Sequence, residues 1–137
     1  MVKRNSRSDS GRRRAYARRR AKIVAFCCQH SAYKAAQSMG KSVPRAVEVV
    51  KVRCAGEVQT EQILKRFEDG ANRVLVLGCP LDNCKYLRGN RRALKRAAVA
   101  GRALKDAGLD ESSVRVELIS SVDAHKLKDI LEEVQKP

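Results

Sequence analysis

Nowhere does the chain run to the eighteen or more consecutive apolar residues that a membrane-spanning helix needs. The N-terminus is basic, as a signal peptide's is, but polar residues stand where its apolar stretch should follow, so no secretory leader is expected. Two chemical signatures are missing as well. No G-x-G-x-x-G follows an apolar run, which speaks against a dinucleotide site. No C-x-x-C occurs, and a thiol-redox enzyme calls for one, or for a base beside its thiol; His30 near Cys28 is the one residue in its favour. Acidic residues are half as numerous as basic ones, 15 against 30, and the five cysteines cannot all be paired. These absences lead to the expectation of a cytoplasmic protein. Its 137 residues suffice for one domain with a buried core. Cysteine would then serve a metal or redox site instead of a disulfide framework.

The net charge of +15 is unevenly spread. Residues Met1 to Lys22 carry ten Lys or Arg and one Asp, with almost nothing to bury. This composition suits a disordered or fold-on-binding tail. It is open whether the tail is an arm for nucleic acid or an acidic partner, or a solvated extension. The expected division is a basic tail over 1–22 and a single α/β domain over 23–137.

After Lys22 the pattern changes. "KIVAFCC", "AVEVVKVRC", "RVLVLGC" and "SVRVELIS" are short β-prone runs. Helical stretches alternate with them. "SAYKAAQSMG" is the shortest. "TEQILKRFEDGA" has Thr60 as its expected N-cap, buries Ile63, Leu64 and Phe67, and stops at Gly70. "YLRGNRRALKRAAVAGRALKDAG" is expected to bury Leu87, Leu94, Ala97, Gly101 and Leu104. "DAHKLKDILEEVQ" offers Asp123 as a cap and Leu127, Ile130, Leu131 and Val134 at helical spacing. The alternation β-α-β-α-β-α-β-α predicts a four-stranded parallel sheet with helices on both faces and right-handed crossovers. Its most economical strand order is 2-1-3-4, as in a truncated flavodoxin-like fold.

On that scaffold the cysteines fall at strand ends. Cys27 and Cys28 close the first strand, Cys54 the second and Cys79 the third, and Cys84 lies in the loop beyond. Ligands of open parallel sheets bind at this carboxyl edge, where strands two, one and three are neighbours. Cys28, Cys54, Cys79 and Cys84 are therefore expected to converge on one metal site. Adjacent strand residues face opposite ways, so Cys27 is assigned to the core. Structural zinc favours paired C-x₂₋₄-C knuckles, whereas four dispersed thiolates with one C-x₄-C also suit a [2Fe–2S] cluster. Both metals stay open on spacing alone.

"IVAFCC", "VRCAGEV", "ILKRFEDGANRVLVLGC" and "NCKYLRGNRRA" carry a family likeness. The chain resembles the delta subunit of methyl-viologen-reducing hydrogenase, the small iron–sulfur subunit found with heterodisulfide reductase, from about Ile23 to Ser121. The most specific stretch runs from Gly70 through Cys79 and Cys84 to Tyr86, Gly89 and Asn90. The resemblance implies one [2Fe–2S] cluster and a non-enzymatic electron carrier. It would work between an input module and a flavin-containing HdrA-type subunit of a larger redox complex. Two positions depart from the family pattern. Ser31 stands where a second cysteine of F-x-C-x-x-C belongs, and Pro80 where a histidine commonly follows the third-strand cysteine. Four cysteines remain without Ser31; were Ser31 itself a ligand, it would offer a hard oxygen in place of a soft sulfur. The basic tail is not typical of the family.

The rival reading is a zinc-stapled α/β binding module whose basic tail holds nucleic acid. His30 reads as a solvated loop residue or a donor beside the cluster, and His125 as structural. Tyr33 and Tyr86 flank the site, either covering it or merely packing. Arg88, Arg91, Arg92, Lys95 and Arg96 form a basic helix face, either solvated or a docking surface for an acidic partner.

Overall fold

A computed structural model describes residues 23–80 and 88–135. The expected tail, Cys84, Tyr86 and Leu87 lie outside the described residues. The strands are β1 (Ile23–Cys28), β2 (Val47–Val52), β3 (Arg73–Gly78) and β4 (Val114–Leu118). The helices are α1 (Ala32–Met39), α2 (Thr60–Glu68), α3 (Gly89–Asp106) and α4 (Ala124–Gln135). Three short 3₁₀ turns intervene, at Gly40–Ser42, Ala55–Glu57 and Glu111–Ser113.

The strands form one sheet in the order β2-β1-β3-β4, all parallel, as the alternation predicts. Side-chain parity divides its two faces. Ile23, Ala25, Cys27, Leu75 and Leu77 pack with α1 and α4 through Ala32, Ala35, Leu127, Ile130, Leu131 and Val134. Val24, Phe26, Val74 and Val76 pack the other way, against Ile63 of α2 and Ala93 and Ala100 of α3. The central strands β1 and β3 are buried on both faces, which is why they read as unbroken apolar runs.

Helix boundaries follow local chemistry, with two corrections. Gln59, not Thr60, is the N-cap of α2. Its backbone N–H donates to the Gln62 side chain at 2.7 Å, the reciprocal half of a capping box. Thr60 instead donates its hydroxyl to the Arg96 carbonyl at 3.3 Å, tying α2 to α3. Leu94 was expected on the buried face of α3 but is 43% exposed. Ala97, Gly101 and Leu104 are buried as expected, and Ala93 and Ala100, not Leu94, complete the stripe at the 3.6-residue repeat. The other signals hold. Asp123 accepts from the Lys126 N–H at 3.0 Å, and the turns after α2 and α3 carry Gly70 and Gly108 at positive φ.

Candidate metal centre

The carboxyl edge of the sheet gathers the thiols. Cys28 is the last residue of β1, on the α2/α3 side by parity with Val24 and Phe26. Cys79 directly follows β3. Their sulfurs stand 3.7 Å apart, both residues buried. A disulfide needs about 2.05 Å. Two thiolates on one tetrahedral metal, with metal–sulfur bonds of about 2.3 Å, stand about 3.8 Å apart. The pair therefore has the spacing of two ligands on a single metal ion, and its donor set suits one.

Cys54 is buried two residues beyond β2, as the cap of the Ala55–Glu57 turn. Its sulfur accepts the Gly56 N–H at 3.4 Å. The preceding carbonyl, that of Arg53, is 3.8 Å from the Cys28 sulfur, so this turn lies against the thiol pair. Among the described residues no group of three or more His, Cys, Asp or Glu is arranged to hold a metal ion. The described structure thus brings two of the four expected ligands into contact and puts Cys54 at the same edge. Cys84 lies outside the described residues.

Cys27 behaves as the alternation requires. It is 1% exposed within the α1/α4 core, and burial, with the neighbouring Cys28 thiol, pushes its pKa up to about 12. Burial also raises the Cys28 pKa, but here donors oppose it: the His30 backbone and the Ser31 hydroxyl both act to lower it. Ser31 is 2% exposed. It occupies the N-cap position of α1 without capping it, and its hydroxyl makes no well-formed hydrogen bond. A buried hydroxyl without a partner costs about 1–3 kcal/mol. This one lies beside a sulfur that becomes a better acceptor as a thiolate.

Three features missed in the sequence build the edge. A Cβ on Gly56 would lie 2.6 Å from the Gly89 Cα and 2.7 Å from the Gly89 carbonyl oxygen. The Cys54 turn and the start of α3 therefore meet backbone to backbone, which only glycine allows. Arg96 donates to the Gly56 carbonyl, holding that turn on α3, so this member of the basic face has a structural task. Asn90 is 1% exposed and donates from Nδ2 to the carbonyls of Cys79 at 3.1 Å and Pro80 at 3.0 Å. It fixes the chain leaving β3. The signal for Asn90 was its polarity on an otherwise apolar helix face; the glycine contact left none. Tyr33 packs against the α1/α4 core, with the Lys51 ammonium 5.3 Å from its ring centroid. His30 lies 3.3 Å from the Gln29 amide. His125 forms an exposed pair with Asp129 at 3.6 Å.

A parallel sheet covered on both faces, with thiols drawn together at its carboxyl edge, defines a small α/β thiol-site domain. Residues 23–137 match the family described as "Methyl-viologen-reducing hydrogenase, delta subunit", and the chain belongs to that family. It is 36% identical over 114 residues to an iron-sulfur subunit of the F420-non-reducing hydrogenase of Archaeoglobus profundus, covering 81% of this chain and 83% of that one. Against the vhu iron-sulfur subunit of the F420-non-reducing hydrogenase of Methanopyrus kandleri it is 32% identical over 117 residues, covering 83% and 89%. It also matches one subunit of the ferredoxin:CoB-CoM heterodisulfide reductase of Methanosarcina mazei, at 32% over 117 residues. There it covers 83% of this chain but 15% of the relative, so the domain is a small part of a much longer polypeptide. No helix among the described residues is long and apolar enough to cross a membrane.

Proposed function

We propose that this protein is an electron-transfer subunit of an oxidoreductase complex, holding one [2Fe–2S] cluster on Cys28, Cys54, Cys79 and Cys84. Its partners would be a donor module and a flavin-containing HdrA-type subunit. The observation that carries this reading is the 3.7 Å contact of the Cys28 and Cys79 sulfurs at the sheet edge. The relatives named as iron–sulfur subunits support an iron cofactor. The heterodisulfide reductase subunit with a domain like this one inside a single chain supports the choice of partner. Such a cluster takes up and releases one electron at a time.

The chain's own residues would bind, orient and shield. Strand ends fix Cys28 and Cys79 with little freedom, and Asn90 restrains the backbone between Cys79 and Pro80. The Gly56 N–H donates to the Cys54 sulfur, and a donor to sulfur favours the more negative state of a thiolate site. The reading assigns no general acid, base or nucleophile, and so no catalytic residue. Cys27, Cys28 and Cys79 are not in disulfides, which suits the cytoplasm.

Anaerobic purification with iron, sulfide and zinc analysis tests the proposal. The expected result is about two iron and two sulfide per chain, with broad bands at about 400–500 nm that bleach on reduction. A colourless zinc protein would overturn it in favour of the zinc-stapled module.

A further inference from the structure

The outer side of α3 carries more charge and more exposed apolar surface than its own fold uses. Arg92, Lys95, Arg102 and Lys105 are exposed, and among the described residues none of them forms an ion pair. The first turn of α3 has no acidic residue but holds Arg91 and Arg92, the sign that opposes the helix dipole. Leu94 and Val99 stand among these cations, 43% and 47% exposed. Beside them a groove of about 290 Å³ runs between α3 and β4. Leu94, Ala98, Val114 and Val116 line it together with Arg102 and Glu111, and Gly101 lets the Glu111 backbone pack closely against α3. Among the described residues β4 pairs only with β3, so it forms the edge of the described sheet on this side.

Charge narrows what covers this face. A second copy of the chain, at net +15, would set cations against cations, and so would the chain's own residues 1–22. The occupant is therefore anionic. Nucleic acid is the poorer fit: α3 has no aromatic residue on which a base could stack, and the apolar part of the groove, Leu94, Val114 and Val116, gives a phosphate no partner. A protein surface that combines carboxylates with an apolar side chain satisfies both parts. The position also suits electron transfer. Asn90 touches the Cys79 carbonyl, and Leu94 lies one turn further along α3, about 6 Å of helix rise away.

We propose that the α3/β4 face is the docking surface for an acidic protein partner, which inserts an apolar side chain between Leu94, Ala98 and Val116 while its carboxylates meet Arg92, Lys95 and Arg102. The identity of that partner as the HdrA-type subunit rests on the function proposed above. The cationic residues steer and orient the partner, and the groove fixes its register.

The test is calorimetric titration of the full-length protein with the purified HdrA-type subunit of its own complex, at about 0.1 M and about 1 M salt. Combined Arg92→Glu, Lys95→Glu and Arg102→Glu should weaken binding at least about tenfold at the lower salt and leave the visible spectrum unchanged. Leu94→Ser should weaken it severalfold at both salts, because its contribution is apolar. Lys34→Glu, Lys41→Glu and Lys128→Glu make the same change in net charge away from this face, and should weaken binding far less. Equal losses from the two charge-reversed proteins would overturn the proposal, as would no effect of the α3 set or no binding by the wild type. Tighter binding of a single-stranded oligonucleotide, abolished by the α3 set, would overturn it in favour of nucleic acid. Metal analysis of the same wild-type sample separates the two readings. A zinc protein whose binding depends on α3 keeps the docking surface and removes the cluster; an iron protein whose binding ignores α3 does the reverse.

Discussion

The carboxyl edge of the α2/α3 face is packed with different material from the core under α1 and α4. Against α1 and α4 the fillers are large: Leu75, Leu77, Leu127, Ile130 and Leu131. Near the carboxyl edge of the α2/α3 face they are small: Ala55, Gly56, Gly89 and Ala93. Large side chains hold helix and sheet backbones apart and bury most apolar area per residue. Small ones let backbones approach, and here they bring the Cys54 turn against the start of α3 beside the Cys28–Cys79 pair. Both faces hold the domain together, the second through Phe26, Ile63, Val74 and Val76. Only its carboxyl edge sacrifices side-chain volume to place a site.

The sharpest way to break that contrast is one substitution on each side. Leu131→Ala should remove about 2–5 kcal/mol of stability through the cavity it leaves, with iron content per folded chain unchanged. Gly56→Ala adds a single carbon, but that carbon meets Gly89 backbone, which cannot swing aside as a side chain can. It should cost about 1–3 kcal/mol and, unlike Leu131→Ala, lower iron content as well. Urea unfolding with iron analysis reads both. Matching iron content in the two variants would show that the small-residue packing does not place the site.

The next contrast is between neighbours on one strand. Cys28 and Cys27 differ by one position and face opposite sides. Cys28→Ala or Cys79→Ala should abolish cluster binding. Cys27→Ala should retain it and cost about 1 kcal/mol, the scale of deleting one heavy atom from a packed core. Complete loss of the visible bands in the Cys27 variant would refute the assignment by facing.

That facing was legible in the sequence because strand alternation is rigid, and so was the strand order, which the β-α alternation nearly dictates. Other features depend on distances between segments that no local pattern encodes. The Gly56–Gly89 contact joins a turn to a helix more than thirty residues away. Gln59 displaced Thr60 as a cap because Gln62 could reach back to its N–H, while the Thr60 hydroxyl found Arg96. Leu94 read as core because leucine usually is; alanines take the buried stripe because the helix packs close to the sheet.

A finer contrast lies within the loop after β1. Cys28 has a sulfur in contact with Cys79, whereas the hydroxyl of Ser31, three residues on, has no well-formed partner. If Ser31 serves as a donor to sulfur and not as a ligand, Ser31→Ala should keep the visible bands and shift the midpoint potential downward. A donor to sulfur favours the reduced, more negative state, so its removal disfavours reduction. Loss of the bands, restored in Ser31→Cys, would make position 31 a ligand instead.

The smallest effect on the fold is expected from the segment with the most charge. Residues 1–22 hold about +9 of the net +15, with Tyr16 and a few alanines among their scarce apolar residues. Two hydrophobic cores are assembled from strands and helices within residues 23–135. Deleting the segment should change the unfolding midpoint and the iron content little. What it should change is association. Attraction to an acidic partner through a cationic segment fades as the Debye length falls from about 10 Å at 0.1 M salt to about 3 Å at 1 M. Full-length and shortened proteins should therefore differ in partner recovery at low salt and converge at high salt. In the shortened protein, the loss caused by Leu94→Ser should survive, because it belongs to α3. Equal recovery of the two proteins at every salt would leave residues 1–22 as a passive extension, with α3 alone supplying the charge.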